Sequence, residues 1–422
     1  MREEGATPGR AQAWIGLGVL WIVGFVGALS RFIMAYYQSR ITEDLATGRS
    51  FISLAWSSNL LIAAVCAPVG GWLSDRYGPK RVILASATFG LLGTSIVYFG
   101  HMPFFFFLGY GIVSGLGGIS VSATYMLLFG WFDRHRAKAS ALLSSASSIG
   151  LAVCTPLFVW NRSLTWEDAF LLSASLGLFV TLPMVGFLVR PARQGGAGRE
   201  PAAADAETSA SVPAGAAAVR SAAARKRWRL TMAIVGFGLF TCGFNMGTVE
   251  MNLVAIHEGA KVLPGMIALS MSVLGIMEIA GSLAFGFLMD GMSKRLALVL
   301  LYGIRVAGFA LLYLHLPATP VGFAVAFGIT YLGAVPGGIM VAGEEAAERG
   351  KQVGYLLMCH QAGGIVGALA GGMAFDAFGS YQALIATDIA MCVAAAGGYF
   401  LLHLRSGNAA TRLPFQTPGH AG

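Results

Sequence analysis

GWLSDRYGPKR at residues 71–81 and GFLMDGMSKR at residues 286–295 share one pattern, Gly-x-x-x-Asp followed by a short turn and two cations. Each segment follows an apolar run long enough to cross a lipid bilayer, and the second begins 215 residues after the first. A second pair of similar segments, RAK at residues 136–138 and RGK at residues 349–351, has an offset of 213 residues. Two such repeats at nearly the same offset indicate that the chain is built from two related units.

The composition places most of the chain in lipid. Of its 422 residues, 56% are hydrophobic and only 11% are charged, and the mean hydropathy is +0.69. A soluble domain carries about 25% charged residues, so this chain lacks the charge to cover a water-facing surface. Its 57 glycines fit a membrane protein, because small residues let helices approach closely in lipid. A soluble protein is therefore excluded.

Twelve apolar runs can each cross a hydrocarbon core of about 30 Å. Inside lipid every backbone amide needs an internal partner, so each run is predicted to be a helix. The first run has no small-residue cleavage site, which favours a span over a signal peptide. The predicted spans are residues 12–36, 51–73, 82–100, 104–130, 138–159, 167–189, 230–254, 264–289, 296–315, 319–342, 352–373 and 381–404.

A polar stretch divides these runs into two sets of six. Residues 191–228 are rich in Ala, Gly, Ser and Pro and contain a basic cluster at 225–227, which predicts a flexible linker. The resulting domains are a six-helix bundle at 1–190, a second at 229–405 and a tail at 406–422. The fold class is an all-α membrane protein with twelve transmembrane helices in two pseudo-symmetric bundles.

The basic residues indicate the orientation in the membrane. The net charge is +8, and most Lys and Arg residues lie in the loops on the side of the two termini. The loops on the other side hold only Arg40, Arg49, Arg162 and Lys261. By the positive-inside rule both termini are predicted to be cytoplasmic, in the cell (inner) membrane. The basic charge therefore reflects topology and does not indicate nucleic-acid binding.

Signatures of enzymes and cofactor sites are missing from the sequence. The five cysteines all fall inside predicted spans with no C-x-x-C spacing, so neither a disulfide nor a zinc site is expected. There is no H-E-x-x-H and no G-x-x-x-x-G-K motif. We expect neither an enzyme nor a bound cofactor.

The segment at residues 71–81 resembles the signature loop between helices two and three of major facilitator transporters, and the resemblance covers nearly the whole chain. It implies a cytoplasmic gate that the loop latches, with an Asp that caps a neighbouring helix. The gating residues of the first half would be Asp75, Arg76, Lys80 and Arg81. The second half carries a weaker copy in Asp290, Lys294 and Arg295, because Gly291 replaces the first Arg. A plain topology anchor is the alternative interpretation.

Other loops resemble the oxalate/formate and monocarboxylate carriers of that family. The segment WFDRHR at residues 131–136 is similar to their loop after helix four, and Gly379-Ser380-Tyr381 after Asp376 to their turn before helix twelve. Two signatures of drug/proton antiporters are absent, at Gly111 and at residues 150–156. The chain departs from the monocarboxylate pattern at Ser282, where those carriers place an Arg, and its eighth span instead carries Glu278.

Charged side chains within spans are the best candidates for a substrate site, since each costs about 3 kcal/mol at the membrane centre. Arg31 and Gln38 share one face of the first span, and Arg31 either binds an anionic substrate or snorkels to headgroups. Glu278 and His360 lie at similar depth and are predicted as proton-coupling residues, with a fixed helix–helix hydrogen bond as the alternative. Tyr125 and Asn245 are further candidates for the substrate site.

Arg305 and Asp388 lie deep in spans nine and twelve, which sit outside the cavity in the resembled fold. Opposite charges at such positions favour a structural ion pair over a transport role.

Together these features predict a secondary active transporter that works by alternating access. The expected cargo is a small organic anion such as a mono- or dicarboxylate, moved with protons or by exchange. Proton-driven efflux of amphipathic or aromatic compounds is one alternative, and a non-transporting membrane sensor or enzyme is another. The expected partners are this small-molecule substrate and the lipid bilayer, without nucleic acid, and the protein is expected to be a monomer.

Overall fold

The computed structural model describes residues 10–132, 136–161, 163–190, 222–343 and 349–410. Within these ranges the regular structure is helical, and twelve segments are long and apolar enough to cross a membrane. The spans, labelled in chain order, are α1 Arg10–Asp44, α2 Arg49–Tyr77, α3 Pro79–Gly100, α4 Pro103–Trp131, α5 Arg136–Trp160, α6 Trp166–Leu188, α7 Ala222–Gly259, α8 Pro264–Gly291, α9 Lys294–Leu314, α10 Thr319–Gly343, α11 Arg349–Phe378 and α12 Gln382–Ala410.

Local sequence signals explain several helix ends. Between α2 and α3, Gly78 adopts φ +86°, a left-handed conformation that favours glycine, and Pro79 opens the next helix. Thr165 and Asp168 form a reciprocal capping box at the start of α6. Ser293 caps α9 by accepting a hydrogen bond from the backbone N–H of Leu296.

Three spans depart from regular α-helix. In α4 a wide-turn segment at Phe107–Val113 is followed by a tight one at Gly115–Ile119, and in α6 a wide turn covers Gly177–Thr181. The third, α10, stops at Thr330 and resumes at Ala334. Such irregular backbone in a membrane is tolerated where it is buried in protein or lines a cavity.

The packing pattern repeats with a period of six helices. In the first half α2 packs on α4, α1 on α5 and α3 on α6, and in the second half α8 packs on α10, α7 on α11 and α9 on α12. Between the halves the most extensive contacts are α2 with α11 and α5 with α8, which are again equivalent pairs, and α1 also contacts α7. The predicted fold class of twelve helices in two related bundles is thereby confirmed.

The predicted domain boundaries differ from the observed helix bounds at the linker and at the tail. Helix α7 begins at Ala222, so residues 222–228 are helical and not part of a flexible linker. These residues are Ala, Arg, Lys and Trp, and the first three are strong helix formers. Helix α12 likewise continues through residues 406–410 of the predicted tail. The remaining linker at 191–221, the tail at 411–422 and residues 133–135 of the α4–α5 loop lie outside the described residues.

Candidate functional site

The two halves meet closely at one end of the molecule. We call this the far end; it carries the α1–α2 turn at residues 45–48 and the α11–α12 turn at residues 379–381. The opposite end, which carries the α2–α3 turn and the start of α7, is called the linker end. The candidate site lies between the two ends, so each end is described first.

A carboxylate from the second half caps a helix of the first half at the far end. The Asp376 side chain accepts hydrogen bonds from the backbone N–H groups of Arg49 at 2.9 Å and of Ser50 at 2.8 Å. These are the first residues of α2, whose N–H groups have no partner within the helix. The residue before them, Gly48, has no side chain to cap them. A carboxylate at a helix N-terminus is also favoured by the helix dipole.

The Arg49 side chain completes this contact, which we name the far-end clamp (Arg49, Ser50, Asp376 and Tyr381). Its guanidinium lies 3.7 Å from the ring centroid of Phe375 and donates to the Tyr381 hydroxyl at 2.6 Å. Burial raises the pKa of the Tyr381 hydroxyl above its ordinary value, so this phenol stays neutral at physiological pH and accepts the bond. The far-end clamp thus joins α2 to both α11 and the turn after it.

Further hydrogen bonds between the halves run from the far end inward. Ser39 donates to the Glu258 carboxylate at 2.7 Å, and Ser57 donates to the carbonyl of Ile365 at 2.9 Å. In the α5–α8 pair Ser148 donates to the Glu278 carboxylate at 2.7 Å. The neighbouring residue Ser147 lines a cavity that lies within the first half.

This cavity has a volume of about 540 Å³ and is lined by α1 to α6. Arg31 is the one charged residue among the described residues that line it. Most of the other polar groups are hydroxyls, which can donate to the oxygens of an anion. These include Ser30, Ser114, Thr124, Ser144 and Ser147. The cavity wall therefore combines one cation with many neutral donors.

The second half presents carboxylates and a phenol towards Arg31. Glu278 on α8 lies within electrostatic range of both Arg31 and Glu250. The Tyr331 hydroxyl on α10 donates a hydrogen bond to the Glu250 carboxylate on α7. Tyr110 on α4 lies within electrostatic range of Arg31 and Glu250. Five helices thus bring one cation, two acids and two phenols to one place.

Several predicted site residues lie at or beside this cavity. Arg31 and Tyr125 line the cavity. Glu278 is buried, with 4% of its surface exposed, and it bonds across the interface between the halves. Glu250 was not among the predicted site residues, and an acid in the outer part of a predicted span was the available signal.

Two other predicted site residues lie elsewhere. Gln38 is fully buried above the cavity, where its amide approaches Asn252 of the second half at 3.5 Å. Asn245 is fully buried between Arg305 and Asp388. Neither lines the cavity, since each faces a neighbouring helix, and their role in substrate binding stays a prediction.

The structure does not bring His360 to Glu278. The imidazole Nδ1 lies 3.3 Å from the Leu239 carbonyl on α7, because α11 packs on α7. Glu278 instead faces α5, because α8 packs on α5. Equal depth in the membrane was therefore a misleading guide, and a Glu278–His360 protonation pair is not formed.

The predicted gating residues of the first half occupy the α2–α3 turn at the linker end. Asp75, Arg76 and Arg81 are exposed, and the Arg76 guanidinium lies 5.8 Å from the Trp72 ring centroid. Lys80 donates to the Gly186 carbonyl at 2.7 Å. In the second-half copy Asp290 is exposed, while Lys294 and Arg295 are half-buried. Their gating role stays a prediction.

The chain matches known proteins over most of its length. Residues 20–368 match the model of the Major Facilitator Superfamily. The chain is 26% identical over 380 residues to the uncharacterized MFS-type transporter YcxA of Bacillus subtilis (strain 168), which covers 84% of this chain and 86% of that protein. It is 25% identical over 354 residues to monocarboxylate transporter 13 of Bos taurus, covering 82% and 79%.

A solved structure supports the same fold. The crystal structure of the nucleoside transporter NupG matches with a TM-score of 0.72 at 14% sequence identity, covering 92% of this chain and 98% of that one. The resemblance stated from the loop motifs is thereby confirmed. The chain belongs to the Major Facilitator Superfamily and is a multi-pass membrane transporter, not an enzyme.

Proposed function

We propose that this protein moves a small organic anion, such as a mono- or dicarboxylate, by alternating access between its two halves. The observation that carries this proposal is Arg31, the one cation in a described cavity wall otherwise rich in hydroxyls. A guanidinium with neighbouring hydroxyl donors suits a carboxylate, because charge-assisted hydrogen bonds are the strong ones. The similarity to monocarboxylate transporter 13 supports the same class of cargo.

Glu278 is the proposed coupling group. Its buried carboxyl accepts a hydrogen bond from Ser148 of the other half, so a movement that separates α5 from α8 breaks this bond. An ionised carboxylate is costly to bury, which favours its protonation when the two halves close around it. A proton on Glu278 would thus be exchanged only when the site opens to water. This arrangement supports proton-coupled transport. Substrate exchange is the alternative mode, and it needs no net movement of protons.

The placement of the basic residues supports cytoplasmic termini in the cell membrane. With that orientation the linker end faces the cytoplasm, and the structure represents an inward-open state with the far-end clamp closed. The Asp75 and Asp290 turns would then form the cytoplasmic gate.

Transport by purified protein in proteoliposomes tests the proposal. Competition by a panel of carboxylates and a panel of cationic dyes is measured against uptake of carbon-14 lactate. We expect carboxylates to compete and dyes to have no effect. Competition by dyes alone would support efflux of amphipathic compounds instead, and no accumulation of any ligand would support a sensor.

Arg31→Gln tests the counter-charge. We expect KM for the transported anion to rise ~10- to 100-fold, because a hydrogen bond to a charged group contributes about 1.5–3 kcal/mol. Arg40→Gln is the matched control, since Arg40 is an exposed cation on the same helix that contacts only Glu43 at 3.5 Å. An unchanged KM in Arg31→Gln would contradict the assignment of Arg31 to the anion.

A further inference from the structure

The interruption of α10 leaves buried backbone carbonyls without a helical partner in the middle of the second half. The helix stops at Thr330 and resumes at Ala334, so the carbonyls of Thr330 and Tyr331 lack the N–H partner that a continuous helix would supply. Unpaired carbonyls inside a membrane protein are costly and need another donor. The nearest donor comes from a neighbouring helix.

Arg305 on α9 supplies these bonds. Its Nη2 donates to the carbonyl of Thr330 at 3.0 Å and to that of Tyr331 at 3.3 Å, and its Nε donates to the Thr330 hydroxyl at 3.3 Å. The residue is fully buried. A cation at the C-terminal end of a helix segment is also favoured by the helix dipole.

Asn245 connects this cation to its counter-charge. The Asn245 carbonyl accepts a bond from Arg305 Nη1 at 3.2 Å, and its amide donates to the Asp388 carboxylate at 2.7 Å. Arg305 and Asp388 are therefore joined through Asn245 and not by the direct ion pair that the sequence suggested. The network spans α7, α9, α10 and α12 without reaching the cavity itself.

Tyr331 connects this network to Glu250 on α7. It is the first residue of the interruption, and its hydroxyl donates to Glu250. Tyr110 on α4, Glu278 on α8 and Tyr331 on α10 each lie within electrostatic range of both Glu250 and Arg31. Glu250 could therefore pair with Arg31 and occupy the cation that the proposed substrate requires. No salt bridge within 4.0 Å joins Arg31 to Glu250, both of which are described residues.

We propose that Arg305 is a positioning residue that holds the interruption of α10, so that Tyr331 retains Glu250 and leaves Arg31 free for the anion. This inference rests on the proposed function for the role of Arg31. It makes Tyr331 and Glu250 determinants of anion affinity.

Transport kinetics with carbon-14 lactate in proteoliposomes test the affinity part. Tyr331→Phe removes the hydrogen bond that holds Glu250. We expect KM to rise about tenfold with little change in kcat, because a lost hydrogen bond to a charged group has an effect of about this size. Adding Glu250→Gln to this variant is expected to restore KM. Tyr37→Phe is the matched control, because it removes a tyrosine hydroxyl bonded to the Leu164 carbonyl, away from Glu250.

Arg305→Lys tests the positioning role, since it keeps the charge but loses the forked donors. We expect the same rise in KM, and again its reversal by Glu250→Gln. A merely structural role would lower the amount of folded protein without any reversal. If Arg305→Lys does not fold, Thr330→Val replaces it, because it removes only the hydroxyl that accepts from Nε. An unchanged KM in Tyr331→Phe, or a raised KM that Glu250→Gln does not restore, overturns the proposal.

An infrared measurement separates this inference from the proposed function, because it needs no substrate. The difference spectrum of wild type minus Glu250→Gln isolates the Glu250 carboxyl band. We expect Tyr331→Phe and Arg305→Lys to shift that band in the same direction, and Tyr37→Phe to leave it in place. A band that Tyr331→Phe does not move overturns the positioning network, whatever lactate transport shows. A shifted band in a protein that transports no carboxylate refutes the proposed function alone.

Discussion

The two ends of the α2–α11 pair carry the same short pattern but differ in their contacts. Helix α2 ends in Asp75-Arg76-Tyr77-Gly78 and α11 ends in Asp376-Ala377-Phe378-Gly379, and both glycines have positive φ, +86° and +64°. At the far end Asp376 caps the start of α2. At the linker end Asp75 is exposed. One pattern is thus seen in an engaged form and in an open form.

From this difference we infer that both copies of the pattern can form a clamp and that the conformation decides which one closes. Because α2 and α11 run antiparallel, the terminal Asp of each helix lies at the end of the molecule where the other helix begins. Under alternating access the two clamps would close in turn. Four variants test this comparison, and they follow in order of decreasing expected effect.

Gly372→Val is expected to have the largest effect. An added Cβ at Gly372 would meet the Arg49 carbonyl and Ser53 hydroxyl across the interface. Overpacking costs about 1–3 kcal/mol, which would reduce the population closed at the far end ~5- to 150-fold. Spin-label distances across the far end measure this population. Gly397→Val is the control, since nothing lies within 4 Å of an added Cβ there; equal distances in both variants would contradict the expectation.

Asp376→Ala removes the cap that α11 provides to the start of α2. We expect it to destabilise far-end closure by about 0.5–2 kcal/mol. Asp376→Asn should lie between Ala and wild type, because an amide oxygen still accepts from backbone N–H groups without adding charge. The fraction of far-end-closed molecules in the same distance measurement ranks the three proteins. Identical fractions would show that the cap does not hold the halves together.

Tyr381→Phe removes the acceptor for the Arg49 guanidinium and should weaken closure by about 0.5–1.5 kcal/mol. In wild type, burial raises the pKa of Tyr381 when the clamp closes, so closure favours the neutral phenol. Its contribution is therefore complete below the ordinary tyrosine pKa of about 10 and is lost as pH rises above it. We expect far-end closure to decline above that pH in wild type and less in Tyr381→Phe. A decline of equal size in both proteins would exclude Tyr381 as the cause.

Asp75→Asn is expected to have the smallest effect on this conformation. Asp75 is exposed at the open end, and surface changes of this kind stay within about 0.5 kcal/mol. Thermal unfolding of the purified protein should therefore be unchanged. The rate of lactate transport should still fall, because the linker end must close once in each cycle. A large loss of thermal stability with a normal transport rate would contradict the assignment of Asp75 to a clamp at the linker end.

The sequence was a good guide to the spans and a weaker guide to the site. Hydrophobic length and the two loop repeats predicted twelve helices and two related halves, since both signals are local. The interruption of α10 at Tyr331 was not predicted, because it depends on donors from Arg305 on another helix. His360 was assigned to the wrong partner because depth along a helix does not specify which face it presents.

Arg31 and Glu278 were found from the sequence because charge inside a span is rare and costly. Asp376 was noticed only as part of a turn motif, although its similarity to Asp75 was visible in Asp-x-aromatic-Gly. The similarity suggests a pair of clamps only once α2 and α11 are known to pack antiparallel. That packing is part of the tertiary structure and cannot be read from the two local motifs.

Paired distance measurements at both ends test the central claim, that closure alternates between the two ends, most directly. One spin-label pair at Glu43 and Leu316 reports the far end, and another at Tyr77 and Leu404 reports the linker end, all at exposed positions. In Asp376→Ala we expect the far-end distance to lengthen while the linker-end distance shortens. If the linker-end distance stays fixed or lengthens as the far end opens, closure does not alternate between the ends and the account is wrong.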